Sequence, residues 1–238
     1  MRQSNRMSTG ATTAGWTTAL CSGALLLAAS LQAGAQTALP LRTAEPRVDA
    51  GWIVSKLARP APMRTSFVEV RTSRMLKAPL RLSGEYLRPD ARTLVRQVRA
   101  PYVETTTIVS SGTGPGQATI ERGGKRRTYS LSRVPELASL QSSFGALLGG
   151  DRATLERDFR LVPGGTRADW TMALLPRDPR VAARLKQITL HGRGAELRCI
   201  ETVPVKAGET QRTLLATAAR SAAAQLDADA LAALCRGG

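Results

Sequence analysis

Aromatic residues are scarce in this chain of 238: three Trp, three Tyr and three Phe. That scarcity counts against the stacking platforms that hold single-stranded nucleic acid, and the basic run Lys125-Arg126-Arg127 has only Tyr129 beside it. Histidine is scarcer still, His191 being the one example. A serine nucleophile needs a base, and no serine sits in a G-x-S-x-G turn, so the chain is expected not to be an enzyme. His191, before Gly192 at the end of an expected strand, is read as structural or merely exposed. With one histidine and so few cysteines an ordinary zinc site cannot be assembled, and no metal or cofactor is expected. Acidic residues number 18 against 34 basic ones. Glu69, Glu85, Glu104 and Glu121 stand among arginines, where surface charge pairing is a simpler role than a glycosidase carboxylate pair. "GTGPG", Gly112 to Gly116, leads into an alternating segment rather than a helix, and Pro115 has no amide hydrogen, so it reads as a hairpin loop and not a phosphate cradle.

Long apolar runs are missing after the first 35 residues. Those 35 read as a cleaved export signal: Arg2 and Arg6, the apolar stretch Leu20 to Leu31, then the small residues Ala33-Gly34-Ala35. Cys21 suggests a lipoprotein, but Leu20 before it is bulkier than the small residue expected there. Residues 36–47 carry Pro40 and Pro46 without periodicity and form an expected flexible lead-in. The remainder, about 200 residues, suits one domain. Its two cysteines, Cys199 and Cys235, favour a disulfide in an oxidising compartment over two free thiols. Closing that loop stabilises the fold by roughly 4 kcal/mol in the chain-entropy model and staples the C-terminus to the body.

The formal net charge is +16. For an exported protein this points to anionic lipid, lipopolysaccharide or wall polymer rather than nucleic acid, or to nothing more than an arginine-rich soluble surface.

What is present in quantity is alternation. After a short helix at Asp49 to Ala58, with Trp52, Ile53 and Leu57 on one face, a period of two predicts strands at Arg64–Arg74, Leu80–Arg88, Thr93–Arg99, Tyr102–Ser110, Gln117–Arg122 and Lys125–Leu131. The links Ala78-Pro79, Arg88-Pro89-Asp90 and Gly123-Gly124 make this an antiparallel meander. Pro135 to Leu148 then spaces Leu137, Leu140, Phe144 and Leu147 on one helical face, as a cover for the sheet, and Asp151 caps a helix to Asp158. Strands resume at Phe159–Val162, Asp169–Leu175, Leu185–Leu190, Ala195–Val203 and Glu209–Leu214, followed by helices at Leu215 to Gln225 and Asp227 to Cys235. The class is α+β, a curved antiparallel sheet covered by short helices.

"SFVEV", "LSGEYLRPDARTLVRQVRAP", "IERGGKRRTYSL" and "DWTMALLPRDPRVAARLKQITL", in that order, resemble the outer-membrane lipoprotein carrier (LolA-like) family. The resemblance implies a half-open β-barrel over residues 48–215, with 216–238 as a C-terminal helical extension, and an apolar cavity sheltering acyl chains in the periplasm. It also implies an inner-membrane exporter and an outer-membrane acceptor as partners, and lipid or lipoprotein acyl chains as cargo. The family's lid-latching arginine corresponds to Arg88 in "YLRPD", on one sheet face with Leu80, Leu82, Gly84 and Tyr86. Candidate cavity residues are Val68, Val70, Leu80, Leu82, Tyr86, Leu94, Val98, Ile108, Ile120 and Trp170; the lid comprises Arg88, Leu137, Leu140, Phe144 and Leu147. Each apolar candidate could equally be ordinary core. This chain departs from the family in its few aromatics and its cysteine pair, which leaves the cargo open: lipoprotein, free lipid or polyene. A carrier is the leading expectation, a basic protein that binds anionic surfaces without enclosing lipid is the alternative, and an envelope hydrolase comes last.

Overall fold

A computed structural model describes residues 47–110, 116–133 and 143–237 of the chain. The export signal, nearly all of the lead-in, most of the GTGPG loop, Leu137 and Leu140 lie outside the described residues. Helix α1 spans Ala50–Leu57. The Asp49 carboxylate accepts the Trp52 amide at 2.9 Å and so satisfies one of the helix's free donors. Its buried stripe is Ala50, Ile53, Val54 and Leu57, the i, i+3, i+4, i+7 pattern of one helix face. Trp52, expected on that face, is only partly buried and lies under the Arg167 guanidinium.

Strands β1 (Met63–Thr72), β2 (Leu80–Arg88), β3 (Thr93–Ala100), β4 (Glu104–Val109), β5 (Gln117–Arg122) and β6 (Lys125–Ser130) follow as antiparallel hairpins. The described part of α2 is residues 143–149, and α3 is Arg152–Asp158, capped by Asp151. The second run comprises β7 (Phe159–Gly165), β8 (Asp169–Pro176), the short α4 (Pro179–Ala182), β9 (Leu185–Arg193), β10 (Glu196–Pro204) and β11 (Thr210–Leu215), then α5 (Ala216–Ser221) and α6 (Ala228–Arg236). Helix α4 was not expected, although Asp178 before Pro179 is a cap followed by proline at the first helical position. Strands β7 and β9 outrun their expected ends by three residues each, and α5 stops short of Gln225.

All eleven strands form one curved, unclosed antiparallel sheet in the order β6-β5-β4-β3-β2-β1-β11-β10-β9-β8-β7, within the unit Thr43–Gly238. The two meanders meet where β1 pairs with β11, Phe67 opposite Leu215. Both edges carry features that discourage further pairing: β6 exposes Lys125, Arg126 and Arg127, and β7 contains Pro163, which lacks an amide donor.

Each face of the sheet has its own cover. On one, α1 and α2 pack against Phe67, Leu82, Trp170, Met172, Ile188 and Leu190 in the main core. Trp170 packs so closely over Gly192 that any Cβ there would overlap its ring, and the indole Nε1–H donates to the Gly194 carbonyl at 2.9 Å. On the other face, α5 and α6 bury Val68, Val70 and Leu214. Cys199 pairs with Leu214, which in turn pairs with Val68, so the Cys199–Cys235 disulfide pins α6 onto this second face. No helix among the described residues is long and apolar enough to cross a membrane, which leaves crossing by strands unaddressed.

Candidate functional site

The end of the sheet where β1 begins and β2 finishes holds a cavity of about 470 Å³. Its floor is Met63 and Thr65 of β1, Tyr86 of β2 and Leu94 of β3. Leu57 closes it from α1, Phe144 and Leu148 from α2, and Leu197 and Leu215 from β10 and β11. These positions follow from register: Thr65 lies opposite Tyr86, and Met63 opposite Arg88, so their side chains share a face. Phe67, Tyr86 and Phe144 form an aromatic run from β1 across β2 to the lid helix α2, with ring centroids 4.9 Å and 6.2 Å apart.

A polar clasp closes the rim. Arg88 is 8% exposed, and its Nη1–H donates to the main-chain carbonyl of Arg59 at 2.9 Å. The Arg59 amide donates to the carbonyl of Leu148 near the end of α2, also at 2.9 Å. The Arg59 guanidinium reaches the Lys56 and Ala58 carbonyls and, at 2.8 Å, that of Ala195 in the β9–β10 turn. Arg59 therefore ties α1, α2 and the β9–β10 turn together, and Arg88 acts on the lid through it. Sequence reasoning missed Arg59. The available signal was a basic residue just past the last turn of α1, where such side chains take up free carbonyls.

Away from the rim, the same sheet face is not apolar throughout. Glu69 is fully buried and accepts from Arg71 Nε at 2.5 Å, Arg96 Nη2 at 3.1 Å, Gln211 Nε2 at 3.1 Å and Thr213 Oγ1 at 3.3 Å. From Arg96 the ladder continues to Glu104 at 3.8 Å and on to Arg122 at 3.7 Å, whose guanidinium stacks on Tyr102. Arg96 also lies over the Phe67 ring. Burial pushes the nearby Tyr86 phenol up to about 12, and the Glu69 carboxylate adds to the rise. Glu85 and Glu121 pair with Arg99 and Arg126 as expected, whereas Glu69 is an interior ligand of two arginines rather than a surface partner.

The sequence-derived cavity set thus divides. Tyr86 and Leu94 line the cavity, as do Arg88 and Phe144 of the lid set. Leu82, Val98 and Trp170 share that sheet face but are packed into the main core; Leu80 lies against the same core, and Leu147 is buried within it. Ile108 belongs to a small separate cluster with Ala118 and Leu131, and half-buried Ile120, beside Thr106, shares the face of Tyr86 but lies three strands along the sheet from it, outside the cavity lining. Val68 and Val70 are on the opposite face under α5 and α6: in a strand covered on both sides, apolar character does not say which side is which.

His191 lies beneath the C-terminal helix, with Nε2 3.7 Å from Glu201 and without a hydrogen bond. Burial holds its pKa below the usual imidazole value, against the pull of Glu201. His191, Glu201 and Cys235 converge within 4.8 Å, but the Cys235 sulfur is bonded to Cys199 and offers no thiolate to a metal. On either side of the GTGPG segment β4 and β5 pair antiparallel, with Val109 opposite Gln117, so Gly116 leads into a strand and not into a helix.

A family model described as outer membrane lipoprotein carrier protein LolA-like matches residues 43–238, including α5 and α6. Among solved structures, a LolA superfamily protein from Nitrosomonas europaea is 14% identical over 71% of this chain and 92% of that one, with a TM-score of 0.37. LprF from Mycobacterium bovis is 14% identical over 73% of this chain and 94% of its own, with a TM-score of 0.31. No curated protein matches the chain.

Proposed function

The chain belongs to the LolA-like family of outer membrane lipoprotein carrier proteins, and on that footing we propose that it is a non-enzymatic periplasmic carrier of acylated or other lipid-like cargo. The observation that carries this reading is the apolar cavity at the open end of the sheet, with Phe144 and Leu148 of a covering helix on one side and Tyr86 and Leu94 on the other. The export signal read at residues 1–35 supports the compartment. Retention would come from apolar burial, about 0.8 kcal/mol per methylene before ordering costs. Arg88 would govern opening, because freeing the lid requires loss of the Arg88–Arg59–Leu148 chain of hydrogen bonds. Hand-over from an inner-membrane exporter to an outer-membrane acceptor is part of the same proposal.

A second reading has its own support: the packed core behind Leu82 and Trp170 and the charged ladder from Glu69 to Arg122 fill much of the sheet with the protein's own side chains. On that reading the basic exterior, including exposed Lys125, Arg126 and Arg127, binds anionic surfaces without enclosing lipid. Vesicle assays separate the two. A carrier moves labelled acyl chains from donor to acceptor vesicles in proportion to its concentration. A surface binder sediments with anionic vesicles at low salt and transfers nothing.

A further inference from the structure

We infer that the cavity takes a single-chain amphiphile with an anionic head, the chain lying between Phe144 and Leu94 and the carboxylate or phosphate head meeting Arg88 and Arg59. This rests on the carrier reading and adds the class of cargo. Four arginines border the cavity, Arg59, Arg64, Arg88 and Arg193, against one carboxylate, Glu196. Glu196 is committed elsewhere: it accepts the amide of Thr217 at 2.8 Å and the Thr217 hydroxyl, capping α5 where Leu215 offers no side-chain cap. Arg193 is paired with Asp169 at 3.0 Å, and Arg64 stands 3.9 Å from Glu85, which Arg99 already holds at 2.5 Å.

Arg88 and Arg59 differ from these. Among the described residues neither forms an ion pair; their bonds all go to neutral carbonyls. Arg59 is exposed and keeps its charge in water, but Arg88 is 8% exposed. Of the five N–H donors of its guanidinium, the Arg59 carbonyl takes one, and the side chain borders the cavity. A buried cation without a counter-ion is costly, and a planar fork of donors matches carboxylate and phosphate oxygens. An anion arriving with an acyl chain relieves that cost at the place where the chain enters. The volume, about 470 Å³, falls in the range of pockets that hold one small ligand, so one chain is accommodated and not several.

The test is a titration of the delipidated full-length mature protein with palmitate, hexadecyl phosphate and hexadecanol, below their critical aggregation concentrations. Palmitate or hexadecyl phosphate binding 1:1 at least about tenfold tighter than hexadecanol is the expected result, and which of the two binds tighter identifies the head. In Arg88→Gln, which removes the charge but keeps a donor for the Arg59 carbonyl, the preference for the anion should shrink to about threefold or less while hexadecanol still binds. Equal affinity of the wild-type protein for hexadecanol and both anions would overturn the head-group inference and leave the acyl cavity standing. Binding of two or more chains per protein would overturn the single-chain inference. Failure of all three to bind would overturn the carrier reading and this inference with it.

Discussion

Arg88 and Arg59 are joined across the rim of the cavity, the guanidinium of one donating to the main-chain carbonyl of the other at 2.9 Å. Because the Arg59 amide is bonded to Leu148, breaking this contact loosens α2 without touching the main core. Arg88→Leu removes a charged hydrogen bond worth about 1–3 kcal/mol and substitutes apolar volume at a nearly buried site. Vesicle-to-vesicle transfer should quicken several-fold, with the melting temperature moving by only a few degrees. An unchanged transfer rate would remove the latch role from Arg88.

Phe144 lines the cavity and stacks on Tyr86 from the lid side. Phe144→Glu places a carboxylate where an acyl chain would lie, at a high desolvation cost once the chain is in place. The half-buried position leaves the variant room to fold. Lipid co-purifying with this variant should fall by about tenfold or more while circular dichroism stays as in the parent. Undiminished lipid would mean that Phe144 is not part of the lid.

Glu69 holds Arg71 and Arg96 from a fully buried position. Truncation by Glu69→Ala leaves both arginines, Gln211 and Thr213 without their acceptor, and removing one partner of a buried ion pair costs about 3–5 kcal/mol. Urea unfolding should register that loss as a lower midpoint. A change under about 1 kcal/mol would place the network among surface pairs, which contribute little.

His191 gives the fold a pH dependence of known sign. Its folded pKa lies below the ordinary imidazole value near 6.5, burial being the main cause, so the unfolded chain binds the proton more readily. Stability is therefore full above about pH 7 and declines as pH falls through 6.5 toward the folded pKa. The carboxyls of Asp90, Asp151 and Asp178, each held below its ordinary 3.8 by hydrogen bonds, keep their stabilising effect across this window and lose it only at lower pH. Melting temperature should drop between pH 7.5 and pH 5.5, and His191→Gln should flatten the drop. An identical slope in the variant would assign it to another group.

Much of the fold was legible because local chemistry and tertiary structure agree. Asp49, Asp151 and Asp227 cap the helices they precede, and the bounds of β2 and β5 are those read from alternation. The site was less legible. Alternation assigns Phe67 and Val68 to opposite faces but cannot say which face borders the cavity, since both are covered. Cys199 held the missing information: its bridge to Cys235 requires the C-terminal helix to lie on its own face, which is that of Val68 and Leu214. Arg59 was hidden for a different reason: its links to Arg88 and Leu148 are made by main-chain groups that any residue has, and only the reach of its guanidinium to Ala195 depends on the side chain.

The most direct measurement is mass spectrometry of the protein isolated under native conditions from the cells that make it, followed by organic extraction. A cavity that carries cargo predicts a discrete adduct of one acyl-chain lipid per protein, recovered in the extract and lost in Phe144→Glu. A ligand-free protein of bare polypeptide mass, from cells whose envelope lipids are intact, would contradict it.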